Sequence, residues 1–199
     1  MTFLLDEDKA LRELLQGLVV HDQKADGSDT PRPVGVWFGQ PDQELRNQVY
    51  PYITIDMVAI SRDPQREMRG LTTAEYLTPD NLPEGMGWEV ELPIPVNVDY
   101  QITTFARHPR HDRELLAQVL YEKLQLRFAQ LNIGPNTVHR LEVLGVAKRD
   151  STEQAKRLFT NAITVRVATE ISQGIYSQYY KVQEIAQTVT PQDKISFSN

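Results

Sequence analysis

Pro95-Val96-Asn97-Val98-Asp99-Tyr100-Gln101-Ile102-Thr103 alternates apolar and polar residues with a period of two. Successive side chains of an extended chain point to opposite faces, so Val96, Val98, Tyr100 and Ile102 share one face and predict a half-buried strand. After Arg107-His108-Pro109-Arg110 the period changes. Leu115, Leu116, Val119, Leu120, Leu124, Phe128 and Leu131 form one broad stripe, which predicts a long amphipathic helix from His111 or Asp112 to just before Gly134-Pro135. A helix with that stripe must lie on a sheet.

Two more strands follow, His139 to Lys148 and Thr160 to Ser172, joined by a charged link. Upstream, Leu11, Leu14, Leu15 and Leu18 recur at helical spacing behind Asp6 and Asp8, predicting a helix from about 6 to 20. Residues 21–33 read as a flexible loop, punctuated by Gly27, Pro31 and Pro33. Val34 to Phe38 and Tyr52 to Ile60 read as strands, the second well buried, paired as an irregular hairpin. Residues 61–93 hold no period for long and read as a long loop or hairpin arm reaching a neighbouring subunit. Tyr179 to Val189 can form a last strand before a loose tail at 190–199. The expectation is a single α+β domain, 1–199: a mixed or antiparallel sheet with an N-terminal helix and one long amphipathic helix packed on it.

The chain has 199 residues, net charge −6 and no cysteine. That length suits one domain with its own core. The acidic balance gives no reason to grip phosphate backbones, and it suits a channel through which DNA slides without sticking. Without cysteine there are no disulfides, no thiolate zinc sites and no thiol nucleophile, and the chain reads as cytosolic in origin. Met1 to Asp8 turns acidic too early for a signal peptide, and no apolar stretch approaches the ~20 residues of a membrane span.

Chemistry is sparse. Arg107-His108-Pro109-Arg110-His111-Asp112 is the one dense group of reactive side chains. His108, His111 and Asp112 allow a metal-dependent hydrolase or nuclease reading, yet no HExxH or comparable spacing supplies a third fixed ligand. The plainer reading is a polar strand-to-helix corner with Asp112 capping or favouring the helix N-terminus. Its cations Arg107, Arg110 and Arg113 can pair with carboxylates of a neighbouring subunit, and Glu84, Glu89 and Glu91 are candidate partners. Trp88, in a loop-like region, is a candidate docking anchor. Trp37, Phe38, Tyr50 and Tyr52 suggest core or interface packing, since no basic groove accompanies them. Neither a phosphate-cradling glycine loop nor a GxSxG elbow occurs, so no enzyme activity, cofactor or metal is expected.

The order of elements resembles the tail terminator proteins of long-tailed phages, with the tail-cap proteins of contractile devices as second choice. The resemblance rests on Val36-Trp37-Phe38 followed by Tyr50-Pro51-Tyr52-Ile53-Thr54-Ile55. It continues through Pro95 to Ile102, which runs by Arg107-His108 into the helix, and through Arg157-Leu158-Phe159 leading into Ile163-Thr164-Val165-Arg166-Val167. It implies a structural protein of the virion neck, assembled in the bacterial cytoplasm. Its expected form is a homo-oligomer, a hexameric ring that caps the tail tube, stops its polymerisation and meets the head-completion connector, with DNA passing through unread and no membrane involved. A monomeric adaptor module is the other alternative.

Overall fold

In the computed structural model the described residues are 4–23, 28–39, 49–73, 86–134, 137–153, 156–172 and 176–180. They form two compact units, Met1–Glu67 with Ile94–Ile171 and Met68–Pro93 with Ser172–Asn199. The architecture is α+β, as the sequence predicts.

The larger unit begins with helix α1 (Leu5–Leu15). The leucine spacing continues to Leu18, but the helix does not: Gly17 takes φ 80° just past its end, a left-handed conformation that stops a helix cheaply only at glycine. Leu18 is buried from the chain entering β1 (Val19–Gln23). β1 pairs antiparallel with β2 (Asp29–Pro33), Val19 opposite Pro33, so the ends of the expected 21–33 loop are a hairpin. The prolines are tolerated because an edge strand can spare their missing donors.

β3 (Gly35–Phe38) and β4 (Tyr52–Arg62) lie side by side in parallel, not as a hairpin, with Gly35 opposite Tyr52. Residues 39–51 are long enough to return the chain to the same end. β4 is buried only from Tyr52 to Ile55; Met57, Val58 and Ile60 are exposed, against the expectation of a well-buried strand.

β7 (Ile94–Ala106) is the strand with the clean alternation. Val98, Tyr100 and Ile102 are all at most 1% exposed on the face that the helices cover. β8 (Gln130–Gly134), β9 (Thr137–Lys148), β10 (Ser151–Glu153) and β11 (Lys156–Ile171) complete a seven-stranded sheet of order β3-β4-β7-β11-β9-β8, with β10 folded onto β11. β11 pairs antiparallel with both β7 and β9, placing Ile163 beside Ile102 and Val167 beside Val98 and Leu141. α1 packs against β8 and β3, while α2 (Pro109–Gln118) packs against β1, β7 and β11. Tyr100 reaches from the sheet to α1 and donates a 2.8 Å hydrogen bond to Asp8; burial first, then Asp8, pushes its phenol well above the usual range.

α2 is shorter than the stripe predicts. It passes into a π-helical turn, Val119–Lys123, and the chain then reverses with Gln125 at φ 41° and Phe128 at φ 60°. Leu131 is buried from β8 and not from a helix, and Phe128 is 93% exposed.

The smaller unit is a three-stranded antiparallel sheet of order β12-β6-β5, made of β5 (Leu71–Thr73), β6 (Met86–Glu91) and β12 (Tyr176–Tyr180). Trp88, expected in a loop-like region, therefore lies on β6, a strand separate from β7. The expected tail at 190–199 and most of the expected Tyr179 to Val189 strand lie outside the described residues.

Candidate protein interface

The corner from Arg107 to Gln118 is positioned by helical geometry. His108 caps α2, its ring Nδ1 accepting from the Arg110 backbone N–H at 3.3 Å, and Pro109 follows at a position whose missing donor costs nothing. At about 100° per residue, the side chains of α2 then divide among three directions.

Arg110, His111, Glu114 and Gln118 face the β1–β2 hairpin. His111 Nε2 lies 2.8 Å from Asp22, whose other oxygen meets Arg32 at 2.6 Å. Arg110 reaches Asp29 at 3.5 Å, and Gln118 donates to the Val19 carbonyl at 2.8 Å. Glu114 takes the His21 backbone N–H at 3.1 Å and sits 2.6 Å from the same residue's ring. Asp112 and Leu115 face the sheet. Asp112 is 2% exposed, not the cap; Lys148 Nζ at 2.7 Å and Asn161 Nδ2 at 2.6 Å both donate to it. A cap serves the free N–H groups two or three residues after it, a position that His108 occupies and that Asp112, four residues further on, does not. Arg113 points to solvent, and no ion pair holds it among the described residues.

Glu114 carries a pH dependence. Burial pushes its carboxyl up, but the hydrogen bonds from the His21 ring and backbone and the nearby Arg110 charge outweigh that and hold it below its ordinary value. A lowered folded value means that the clamp's contribution is present above the unfolded carboxylate range, near 4.5, and is lost as pH falls through the folded value. The protection of the Val19–Gln23 amides against hydrogen exchange, relative to their intrinsic rates at each pH, is thus expected to fall below about pH 4.5, and Glu114→Gln to remove most of that acid-dependent step.

Arg107 stacks over Tyr50, 4.8 Å from the ring centre, and its guanidinium donates to the Tyr50 hydroxyl at 3.3 Å. Tyr50 packs on Tyr52 at 5.3 Å and Tyr52 stacks on Phe105 at 4.7 Å, so these aromatics form a packed ladder and not an open stacking platform. Trp37 is half-buried and Phe38 is 39% exposed.

Of the three corner cations, Arg110 and Arg113 border one open surface with His108 and Glu114, while Arg107 is turned onto Tyr50. Glu84 lies outside the described residues. Glu89 and Glu91 are half-buried on β6 of the smaller unit, Glu89 in register with Ser177 and Thr73. Trp88 lies on the same strand opposite Gln178, and its side chain is outside the described residues. The His108 and His111 rings lie 5.3 Å apart, but Asp112 turns away to Lys148 and Asn161, and among the described residues no three His, Cys, Asp or Glu side chains group as metal ligands would. The hairpin partners Asp22, Asp29, Arg32 and His21 escaped sequence reading because they are about 90 residues from α2, with separations of 93 for His21 and Glu114, and no period links them.

The sheet face opposite the helices is polar. Arg166 makes two hydrogen bonds to Asp99, at 2.7 and 3.0 Å, and Arg66 bonds Asp63 at 2.8 Å and Asn97 at 3.2 Å. These pairs border an open groove of about 710 Å³ in which the cations are already answered by the protein's own carboxylates.

No family model and no curated protein matches this chain. Among solved structures it is similar to a chain described as the sheath/tube terminator, in the extended state, of the extracellular contractile injection system PVC. That likeness has a TM-score of 0.43 at 16% identity and covers 100% of this chain and 66% of the other. This chain therefore spans slightly less than two thirds of that chain's length.

Proposed function

We propose that this chain is a structural ring subunit that terminates a phage-like tail: it closes on itself, hexamerically by resemblance, occupies the growing end of the tail tube and offers its other face to a head-completion connector. The observation that carries the reading is an open sheet with an unpaired edge on each side among the described residues: β8 on one side and, on the other, the part of β4 that the short end strand β3 does not reach. Sheet edges left open attract further chains. Two unlike edges on one subunit make a heterologous contact that can close into a ring. The order of elements that resembles tail terminators supplies the tail.

In this reading the work is steric and electrostatic. The clamped corner presents Arg113 on a fixed helix to carboxylates of a neighbour, the 61–93 excursion with Trp88, Glu89 and Glu91 serves as an inter-subunit arm, and a net charge of −6 lets DNA pass without adhesion. Negative-stain images and mass photometry are expected to show rings, and sub-stoichiometric protein is expected to halt growth of tube protein from the same gene cluster. Arg113→Glu is expected to weaken ring or tube association about tenfold at low salt, and less at high salt. A persistent monomer at high concentration beside tubes that keep growing overturns the reading.

A further inference from the structure

The segment between α2 and β8 combines features that folding alone does not account for. Helix hydrogen bonding widens to a π-turn at Val119–Lys123, a local irregularity that recurs at functional sites. Gln125 and Phe128 hold left-handed φ values that cost a bulky residue free energy. The side chains displayed by this effort are apolar and wet: Tyr121 is 86%, Leu126 66% and Phe128 93% exposed. A phenylalanine on a strained turn with its ring in water contributes nothing to its own core. Beside this knob runs a groove of about 610 Å³, whose floor includes Val138 and Leu141.

A second apolar patch lies at the other end of the same sheet. β3 covers β4 only as far as Ile55, where the Gly39 N–H makes a last bond to the Ile55 carbonyl. From Asp56 to Arg62, β7 is the one strand paired with β4 among the described residues. A bulge between Met57 and Ala59 shifts the register there, and on this half of the strand Met57 is 51%, Val58 61% and Ile60 45% exposed.

We propose that the Tyr121/Leu126/Phe128 knob of one copy of this chain docks on the open Met57–Ile60 edge of β4 of the next copy, head to tail. The proposal rests on the ring reading and specifies its subunit contact. The occupant follows from topology. The knob leads directly into β8, the strand at one end of the sheet order; at the other end β3 pairs with β4 only as far as Ile55, so the rest of β4 borders that edge among the described residues. One copy therefore carries both halves of the contact on opposite edges, and each docking leaves a free knob and a free edge for the next. Charge agrees: Arg127, in the knob, and Asp56, at the start of the open edge, have no ion-pair partner among the described residues. A stable contact needs roughly 800 Å² on each partner, so these six apolar side chains are its desolvated centre, with strand edges supplying the rim.

The absence of cysteine makes the test clean. Arg127→Cys and Asp56→Cys are made separately in the full chain, mixed, and treated with a bismaleimide, while light scattering follows assembly. The mixture is expected to give a covalent dimer, neither variant alone to give one, and the double variant to give a ladder. Phe128→Asn, which suits the left-handed turn, is expected to keep or raise the thermal midpoint while weakening self-association about tenfold. Self-linking of Arg127→Cys alone, self-linking of Asp56→Cys alone, or unchanged association of Phe128→Asn overturns the proposal. Assembly without linkage overturns this contact and leaves the ring reading standing. Linkage in a protein that does not stop tube growth preserves the contact and removes the terminator reading. A monomer that does not link removes both.

Discussion

Asp112→Ala is expected to destabilise the larger unit by about 2–4 kcal/mol, although the sequence casts Asp112 as a surface cap or a metal ligand. The carboxylate is 2% exposed and accepts from Lys148 Nζ and Asn161 Nδ2. The two donors differ in what they lose. The Lys148 side chain is 51% exposed and regains water, so its share is under about 1 kcal/mol. Asn161 is 1% exposed and keeps only its bond to Thr104 at 3.1 Å, leaving an amide hydrogen buried without its shorter partner. An unsatisfied buried donor costs about 1–3 kcal/mol, and the lost packing adds to it. In a chain of this size, each kcal/mol shifts the thermal midpoint by roughly 2–4 °C. Urea unfolding of Asp112→Ala beside Lys148→Met checks the partition: equal losses in both would mean that the lysine, not the asparagine, carries the bond. The same samples decide the hydrolase alternative. Excess Zn²⁺ or Mn²⁺ is expected to leave the midpoint unmoved, whereas a stabilisation abolished by His111→Ala would return His108, His111 and Asp112 to a metal site.

Leu115→Ala is expected to cost about 3–5 kcal/mol, the range for a leucine whose neighbours cannot collapse into the space. Leu115 is fully buried in the main core cluster, which also includes Ile102, Val119 and Ile163. The neighbours lie on the sheet and helix backbones, and ladder hydrogen bonds hold them apart. Because α2 also carries the clamp to the β1–β2 hairpin, loosening it is expected to speed exchange of the Val19–Gln23 amides along with global unfolding. Leu126→Ala is the contrasting control: its side chain is 66% exposed, so stability is expected to change by less than about 0.5 kcal/mol. A large loss there would mean that the knob supports the core, which would undercut its role as a docking surface.

The strands with strict alternation are legible because their pattern is local. Val98, Tyr100 and Ile102 on β7, and Ile163, Val165 and Val167 on β11, are all buried as their period requires. The helix after Arg107 is legible in existence and in its apolar face, through Leu115 and Val119. Its end is not. Leu124, Phe128 and Leu131 continue the stripe in sequence, yet Leu124 closes a π-turn, Phe128 stands in solvent and Leu131 is core on a strand. Helical spacing cannot distinguish a residue that continues a helix from one delivered to the same core by a reversing chain. The arginine corner shows the same division: its position at the start of α2 is legible, but the commitment of Arg110 and His111 to Asp29 and Asp22 requires a hairpin whose residues read as loop.

Sequence alone determined the α+β class, the two central strands, the apolar faces of both helices and the strand-to-helix corner, because periodicity and proline act within a few residues. The caps, in contrast, fell to Leu4 and His108 and not to Asp6, Asp8 or Asp112. Tertiary structure decided the parallel pairing of β3 with β4, the burial of Asp112, the hairpin clamp, and which apolar residues stay wet. Those outcomes depend on which distant surfaces meet. A side chain's free energy of burial is set by the neighbour that excludes water from it, and for Met57, Val58, Ile60 and Phe128 the described residues supply no such neighbour.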